Sequence, residues 1–377
     1  MTGRQLAALA ALLLLPCLPA RSLAARGQSL NVSAGLATAY DNNFLQYSDL
    51  QLATFALGTH PLRYAVESTD DGLFTPDLSL TWQLDEGGGR RHALRLHWDG
   101  DFHARNATAD HHATGVRWTE SFARGRRLTA GWYRLNNYYL RQLRDEDLPV
   151  PPPGLLDTRY RRAQFDLDIY SAGWRQRLGQ SMHADLGWQF ENREYVPAFR
   201  ERTSGTHQGD LHLDWDRLPH RGDVEVRIAW RQSDAKGTDG DEVGGVRDDD
   251  DVSYHGPEAG ISGRMEFHRD RRWRFGGDLG WELGKRAFDS PLTTTDPYHY
   301  GRHDTMNAVE AGLRLAYRRR WTARAYYRVE NNTAKLGAIA PPTSDSGSYH
   351  ENRFGLELGW SGLVWHQAAA AADEGSD

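Results

Sequence analysis

The sequence predicts an all-β chain closed into an antiparallel transmembrane β-barrel of about 14 strands, within a range of about 12 to 16. Three observations predict it. Apolar and polar residues alternate with a period of two along most of the chain, the connections alternate between short and long, and tryptophans recur at two levels along the segments.

Composition narrows the class first. With 377 residues, a formal net charge of −6, a pI near 6.2 and a mean hydropathy of −0.70, the chain has no basic excess for nucleic acid and no room for a bundle of apolar helices. The single long apolar run, residues 6–20 (LAALAALLLLPCLPA), follows Arg4 and precedes small residues, which is the arrangement of a secretory signal peptide. Cleavage is expected near Ala24 or Ala25, giving a signal over residues 1–25, a barrel over 26–366 and a disordered periplasmic tail over 367–377. The lone cysteine, Cys17, lies inside the signal, so the mature chain holds no disulfide and must close by other means.

The segment WRFGGDLGWEL shows the pattern most plainly. Trp273, Phe275, Leu279, Trp281 and Leu283 fall on one face of a strand, and Arg272, Arg274, Asp278 and Glu282 on the other. A helix would scatter the same residues around its axis. In chain order the alternation recurs at Leu78–Leu84, Leu94–Trp98, Met182–Phe190, Leu211–Trp215, Val224–Trp230, Ala259–Phe267, Val309–Tyr317 and Trp321–Val329, with weaker strands near Leu30, Val116, Leu128 and Phe165 and a last one near Phe354. The short connections are expected around residues 85–91, 123–127, 177–180, 217–223, 268–272 and 318–320. Long ones are expected at 41–74, 144–157, 192–207, 232–258, 286–304 and 331–350. Short turns at one end and long loops at the other are the habit of membrane barrels.

Tryptophan tests this independently, because its ring prefers membrane interfaces. Trp82, Trp215, Trp273, Trp321 and Trp360 lie beside short turns, whereas Trp98, Trp132, Trp188, Trp230 and Trp281 lie about seven to ten residues beyond them. At ~3.3 Å per residue and a tilt near 45°, that gap spans roughly the ~25 Å apolar band. Trp174 has the parity of Asp166 and Asp168, so it needs a bulge or an inward direction.

Over its mature length the chain resembles Gram-negative outer-membrane β-barrels. Residues 353–360, RFGLELGW, resemble the C-terminal signal read by the barrel-assembly machinery through Arg353, Gly355, Leu358 and Trp360, although SGLVWHQ and an alanine-rich acidic tail follow. Residues 38–49, TAYDNNFLQYSD, are similar to the first strand and loop of porin-like barrels found with polysaccharide export systems. The resemblance implies the bacterial outer membrane, contact with its lipid and lipopolysaccharide, and the assembly machinery as a partner in biogenesis; a homo-oligomer stays open, and no nucleic acid is expected. It implies a porin-like channel for passive passage of small hydrophilic solutes, the alternative being a non-conducting structural or adaptor barrel for polysaccharide or surface-protein export.

If the apolar face meets lipid, the other face lines a lumen. Its expected basic side comprises Arg227, Arg231, Arg264, Arg272, Arg274, Arg314, Arg318, Arg324 and Arg328, and its acidic side Asp166, Asp168, Asp185, Asp214, Glu225 and Glu266. Pairing about the short turns sets Glu266 opposite Arg274 and His268 opposite Arg272. Segregated walls would impose a transverse field on solutes; interleaved charges would neutralise one another. The loop over 232–258 carries Asp248, Asp249, Asp250 and Asp251, suitable oxygen ligands for a hard divalent cation but without EF-hand spacing, so a solvated acidic loop is the competing reading. Residues 48–58, SDLQLATFALG, read as a short capped helix that either folds into the mouth or lies on the surface. His111 and His112 adjoin Asp110 without a serine motif, and neither catalysis nor a cofactor is expected.

Overall fold

The computed structural model describes residues 27–122, 125–145, 148–218, 222–237, 251–291, 296–318, 320–340 and 347–368. The expected signal over 1–25 lies outside them, as does the tail beyond residue 368. Fourteen strands are arranged in chain order: β1 (Gly27–Asp41), β2 (Asp71–Gly87), β3 (Arg90–His103), β4 (His111–Phe122), β5 (Arg126–Arg144), β6 (Tyr160–Arg177), β7 (Met182–Tyr195), β8 (Ser204–Leu218), β9 (Gly222–Ala235), β10 (Tyr254–Arg269), β11 (Trp273–Phe288), β12 (His303–Tyr317), β13 (Trp321–Lys335) and β14 (Tyr349–Ala368). Each pairs with its neighbours in sequence, and β1 pairs antiparallel with β14 to close the ring. β14 runs to Ala368, two residues past the expected edge of the barrel at 366.

The loops sort as the chain order requires. Connections at one end are tight; between β2 and β3, Gly88 and Gly89 take φ of 63° and 84°, a left-handed pair that L side chains rarely adopt. At the other end lie the long connections, including one between β3 and β4 over 104–110 that the alternation did not single out.

The outer surface is apolar where a soluble protein would be polar. Leu186, Ile228, Leu279 and Leu313 stand more than half exposed on strand middles, and the backbone behind them is fully paired. Only hydrocarbon makes such a belt stable, and closure is what lets the sheet sit there without an unpaired edge. Aromatic residues mark the belt's edges. Trp273 faces Tyr317, Tyr317 faces Trp321 and Trp321 faces Trp360 on four successive strands, with the Trp273 and Tyr317 rings 4.5 Å apart. Near the other edge Trp132, Tyr170, Phe190 and His207 share one row on β5 to β8.

Two register expectations are corrected. Trp174 faces Leu186 with Ala172 beside Trp188 and Tyr170 beside Phe190, so it points outward with no bulge between β6 and β7. Its parity partners Asp166 and Asp168 are therefore also outward, beyond the apolar belt, where an outer face need not be apolar. Between β10 and β11, Glu266 faces Gly276 and His268 faces Phe275, and Arg274 stands opposite Arg269. The cause is local: the Asp270 carboxylate accepts the backbone N–H groups of Arg272 and Trp273, both at 2.6 Å, which fixes a tight turn and leaves β10 one residue long.

The substitution Leu279→Arg puts a charge at mid-belt and is expected to cost about 2–4 kcal/mol in urea unfolding from lipid vesicles. An unchanged unfolding midpoint would place Leu279 away from lipid.

Candidate functional site

The same period of two that greases the outside charges the inside. On β11 to β14, Asp278 accepts from Arg314 and, at 2.6 Å, from Arg324; Arg324 also donates to Glu310 and, at 3.2 Å, to Glu357. Arg328 reaches Glu282 at 3.1 Å and Glu330 at 3.0 Å. Around the ring, Arg175 pairs with Asp185 at 2.7 Å and with Asp214, His212 bridges Asp210 at 3.0 Å and Glu225 at 2.8 Å, and Arg227 meets Glu258 at 3.3 Å. Arg231 donates to Gln208 at 2.6 Å and stands 3.3 Å from Glu191. At the closing seam Arg353 of β14 grips the fully buried Asp41 of β1 at 2.7 Å.

Most of these charges are thus interleaved, which is the second of the two arrangements the sequence left open. The reason is geometric. In an antiparallel ladder every second residue of one strand stands beside every second residue of the next, so Arg314 and Arg324 are held within reach of the acids of β11, β12 and β14.

Placement of the expected lining residues follows from the registers. Arg227, Arg231, Arg314, Arg324, Arg328, Asp185, Asp214 and Glu225 share the inward face, and Arg264 stands there opposite both Asp278 and Asp223. Glu266 and Arg274 are inward by parity near the tight-turn rim, and Arg272 and Arg318 lie in turns, Arg318 at φ 49°. Asp166 and Asp168 are outside the lumen, both gripped by Arg134 at 2.7 Å, while Trp132 donates to Asp168 at 3.0 Å. Asp248, Asp249 and Asp250 lie outside the described residues; Asp251 accepts the Ser253 N–H at 3.0 Å, and among the described residues no group of acids and histidines is arranged to hold a metal ion. His111 contacts the Ala109 carbonyl at 3.1 Å and Asp101 at 3.4 Å.

Above the paired wall the barrel opens into a mouth cavity of about 1060 Å³. The first long loop enters it. Helix α1 (Asp49–Leu57) begins on a capping box, the Ser48 side chain accepting the Gln51 N–H and the Gln51 side chain accepting the Ser48 N–H, and ends on Gly58 at φ 65°. Before the helix, Asn43 locks the turn: its amide donates to the Tyr47 carbonyl at 2.8 Å and the His350 carbonyl at 3.1 Å, and its oxygen accepts the Tyr47 N–H at 2.9 Å. Tyr47 is thereby driven inward against Leu45, Tyr64 and Tyr139, the only cluster of buried apolar residues among those described. Burial holds its phenol well above the usual tyrosine range. Arg141 of β5 fastens the loop from the wall, donating to the Leu45 carbonyl at 2.9 Å with its guanidinium 5.4 Å from the centre of the Tyr47 ring.

The mouth has an excess of cations. Arg63, Arg141, Arg193, Arg286 and Arg302 line it against the carboxylates Glu258, Asp304 and Glu330. None of these five arginines is among the lining residues expected from the sequence. Arg286 had a readable signal, since it continues the inward series Asp278, Glu282 at the next interval of four. Arg141 had none, because irregularities between Leu135 and Tyr138 and between Tyr139 and Arg141 break the alternation ahead of it.

No protein-family model matches the chain, and no curated protein does. Among solved structures it is similar to an anion-selective porin from Comamonas acidovorans, at 9% identity and a TM-score of 0.42 over 89% of this chain and 100% of that one. It is also similar to a bacterial polysaccharide outer membrane secretin, at 11% identity and 0.40 over 87% and 97%, and to OprD of Pseudomonas aeruginosa, at 9% and 0.35 over 90% and 96%. These are distant likenesses of barrel architecture, and the chain itself is a closed antiparallel barrel of fourteen strands.

Two tests follow from the charges. Asp278→Asn leaves Arg314 and Arg324 without their shared carboxylate; a loss of at most about 1 kcal/mol in unfolding is expected, and an ion-permeable barrel would move its reversal potential toward anions. At the loop rim the Arg159 guanidinium beside Asp157 holds that carboxyl down at about 2, from 3.8. Because the folded value is depressed, this contribution is present above pH 4 and disappears as the pH falls toward 2. Pepsin cleavage at the exposed Leu155 and Leu156 is therefore expected to be faster in Asp157→Asn than in the parent at about pH 4 and to converge with it below about pH 2, and equal rates at both would refute the assignment.

Proposed function

We propose that the barrel is a channel through which small hydrophilic solutes pass by diffusion. One observation supports it above others: the lumen is polar and not filled by its own side chains. Below the mouth cavity lies a second, of about 290 Å³, lined by charged residues including Arg227, Arg264, Asp278 and Arg328. The Arg227–Glu258 pair joins the linings of the two. Water and small polar solutes fit such spaces, and paired wall charges let ions pass without a deep trap of either sign. No covalent step is needed.

The anchored first loop favours a second reading, a plugged barrel that serves export or assembly without conducting. Tyr47 and α1 stand in the mouth, and Arg141 holds them to the wall.

Single-channel recording of the mature protein in a planar bilayer separates the two. Steady openings are expected, and replacing residues 48–58 by a short glycine–serine linker is expected to enlarge them. A folded, heat-modifiable barrel that stays silent in both forms would eliminate the channel.

A further inference from the structure

Some cations of the mouth are already answered. Arg193 has Glu191 at 2.9 Å, and Arg302 has Asp304 at 2.7 Å. Three other arginines line the cavity with no carboxylate within 4.0 Å among the described residues: Arg63, Arg141 and Arg286. Each leans on a tyrosine instead. Arg63 lies 5.3 Å from the centre of the Tyr64 ring, Arg141 5.4 Å from that of Tyr47 and Arg286 5.0 Å from that of Tyr254. Tyr47 and Tyr64 meet edge to face at 5.3 Å, which brings Arg63 and Arg141 to one side of the mouth. Arg286 stands on β11, six strands from β5 in a ring of fourteen, and so faces them from nearly the opposite wall.

A fourth group completes the set. The Tyr47 side chain is 2% exposed and its hydroxyl has no hydrogen-bond partner, although it lines the cavity. A buried O–H without an acceptor costs free energy unless something supplies one. Guanidinium donors held flat on aromatic faces keep their N–H edges free for an oxygen ligand.

We infer that the mouth holds a binding site for a small oxyanion, a carboxylate or phosphate carried by the solute, with Arg63, Arg141 and the Tyr47 hydroxyl on one side and Arg286 closing from the other. This rests on the channel reading for its purpose, because it makes the mouth a capture point ahead of a neutralised lumen. It does not rest on it for its existence. The first loop is then part of the site: α1 and its flanks carry Tyr47 and Arg63 into position.

The test uses the full mature barrel and two probes, inorganic phosphate and succinate, each against chloride at matched ionic strength. In planar bilayers, either anion added on the loop side is expected to reduce the chloride current at concentrations where chloride itself does not. In detergent solution, phosphate line broadening in phosphorus NMR reads the same site without needing conduction. Arg286→Gln, which loses no hydrogen bond of the fold, is expected to weaken binding about tenfold, as is Arg63→Gln. Tyr47→Phe is expected to weaken it about threefold, and Arg320→Gln at the opposite rim not at all. Block by succinate alone supports the site as a carboxylate site, and block by phosphate alone supports it as a phosphate site. Broadening in a barrel that never conducts upholds the site and removes the channel. Neither block nor broadening, or equal binding in parent and Arg286→Gln, overturns the site.

Discussion

Closure of the sheet between β1 and β14 is the constraint on which the rest depends. In hydrocarbon a free strand edge would leave a row of N–H and C=O groups without partners, each costing several kcal/mol. Joining β1 to β14 along fifteen paired positions removes that edge, and the Arg353–Asp41 pair ties the seam at its mouth end. Once the ring is closed, alternate side chains have only two destinations. Leu279 and its like go to lipid, and Asp278 and its like go to water in the lumen.

A closed ring of arginines and carboxylates neutralises itself. Every inward residue has inward neighbours on two strands, so Arg324 collects three acids and Asp278 collects two arginines. Each such pair in a wet lumen contributes little to stability on its own. Their joint effect is to hold long side chains against the wall. Among the described residues, unpaired positive charge remains at Arg95 and Arg117, which face each other on β3 and β4, and gathers again where the ladder ends. In the mouth the strands outrun the belt, bulges disturb their alternation, and a loop inserts.

That loop is a second, smaller folding problem inside the first. Asn43, the Ser48 capping box and Gly58 set its path locally, and packing of Tyr47 on Tyr64 and Tyr139 fixes it to the barrel. Its anchor, Arg141, serves two neighbours at once, a carbonyl and an aromatic face, and has no carboxylate partner among the described residues. The part of the molecule that narrows the mouth therefore also brings unpaired positive charge to it.

The sequence by itself determined the barrel, the strand number to within about two, the sorting of loops and the two aromatic levels, because each depends on the period of two and on spacing along one strand. It determined the capped helix at 48–58 for the same reason, since caps are local. It did not determine which charged residues meet. Asp166 and Asp168 obey the alternation but lie past the belt, where parity no longer separates lumen from outside, and Glu266 and Arg274 were displaced by one residue through the side chain of Asp270. Nor did it reveal Arg141 and Arg286 as partners across a mouth, 145 positions apart in the chain. Bringing β5 opposite β11 requires the ring to be closed, and only the tertiary structure closes it.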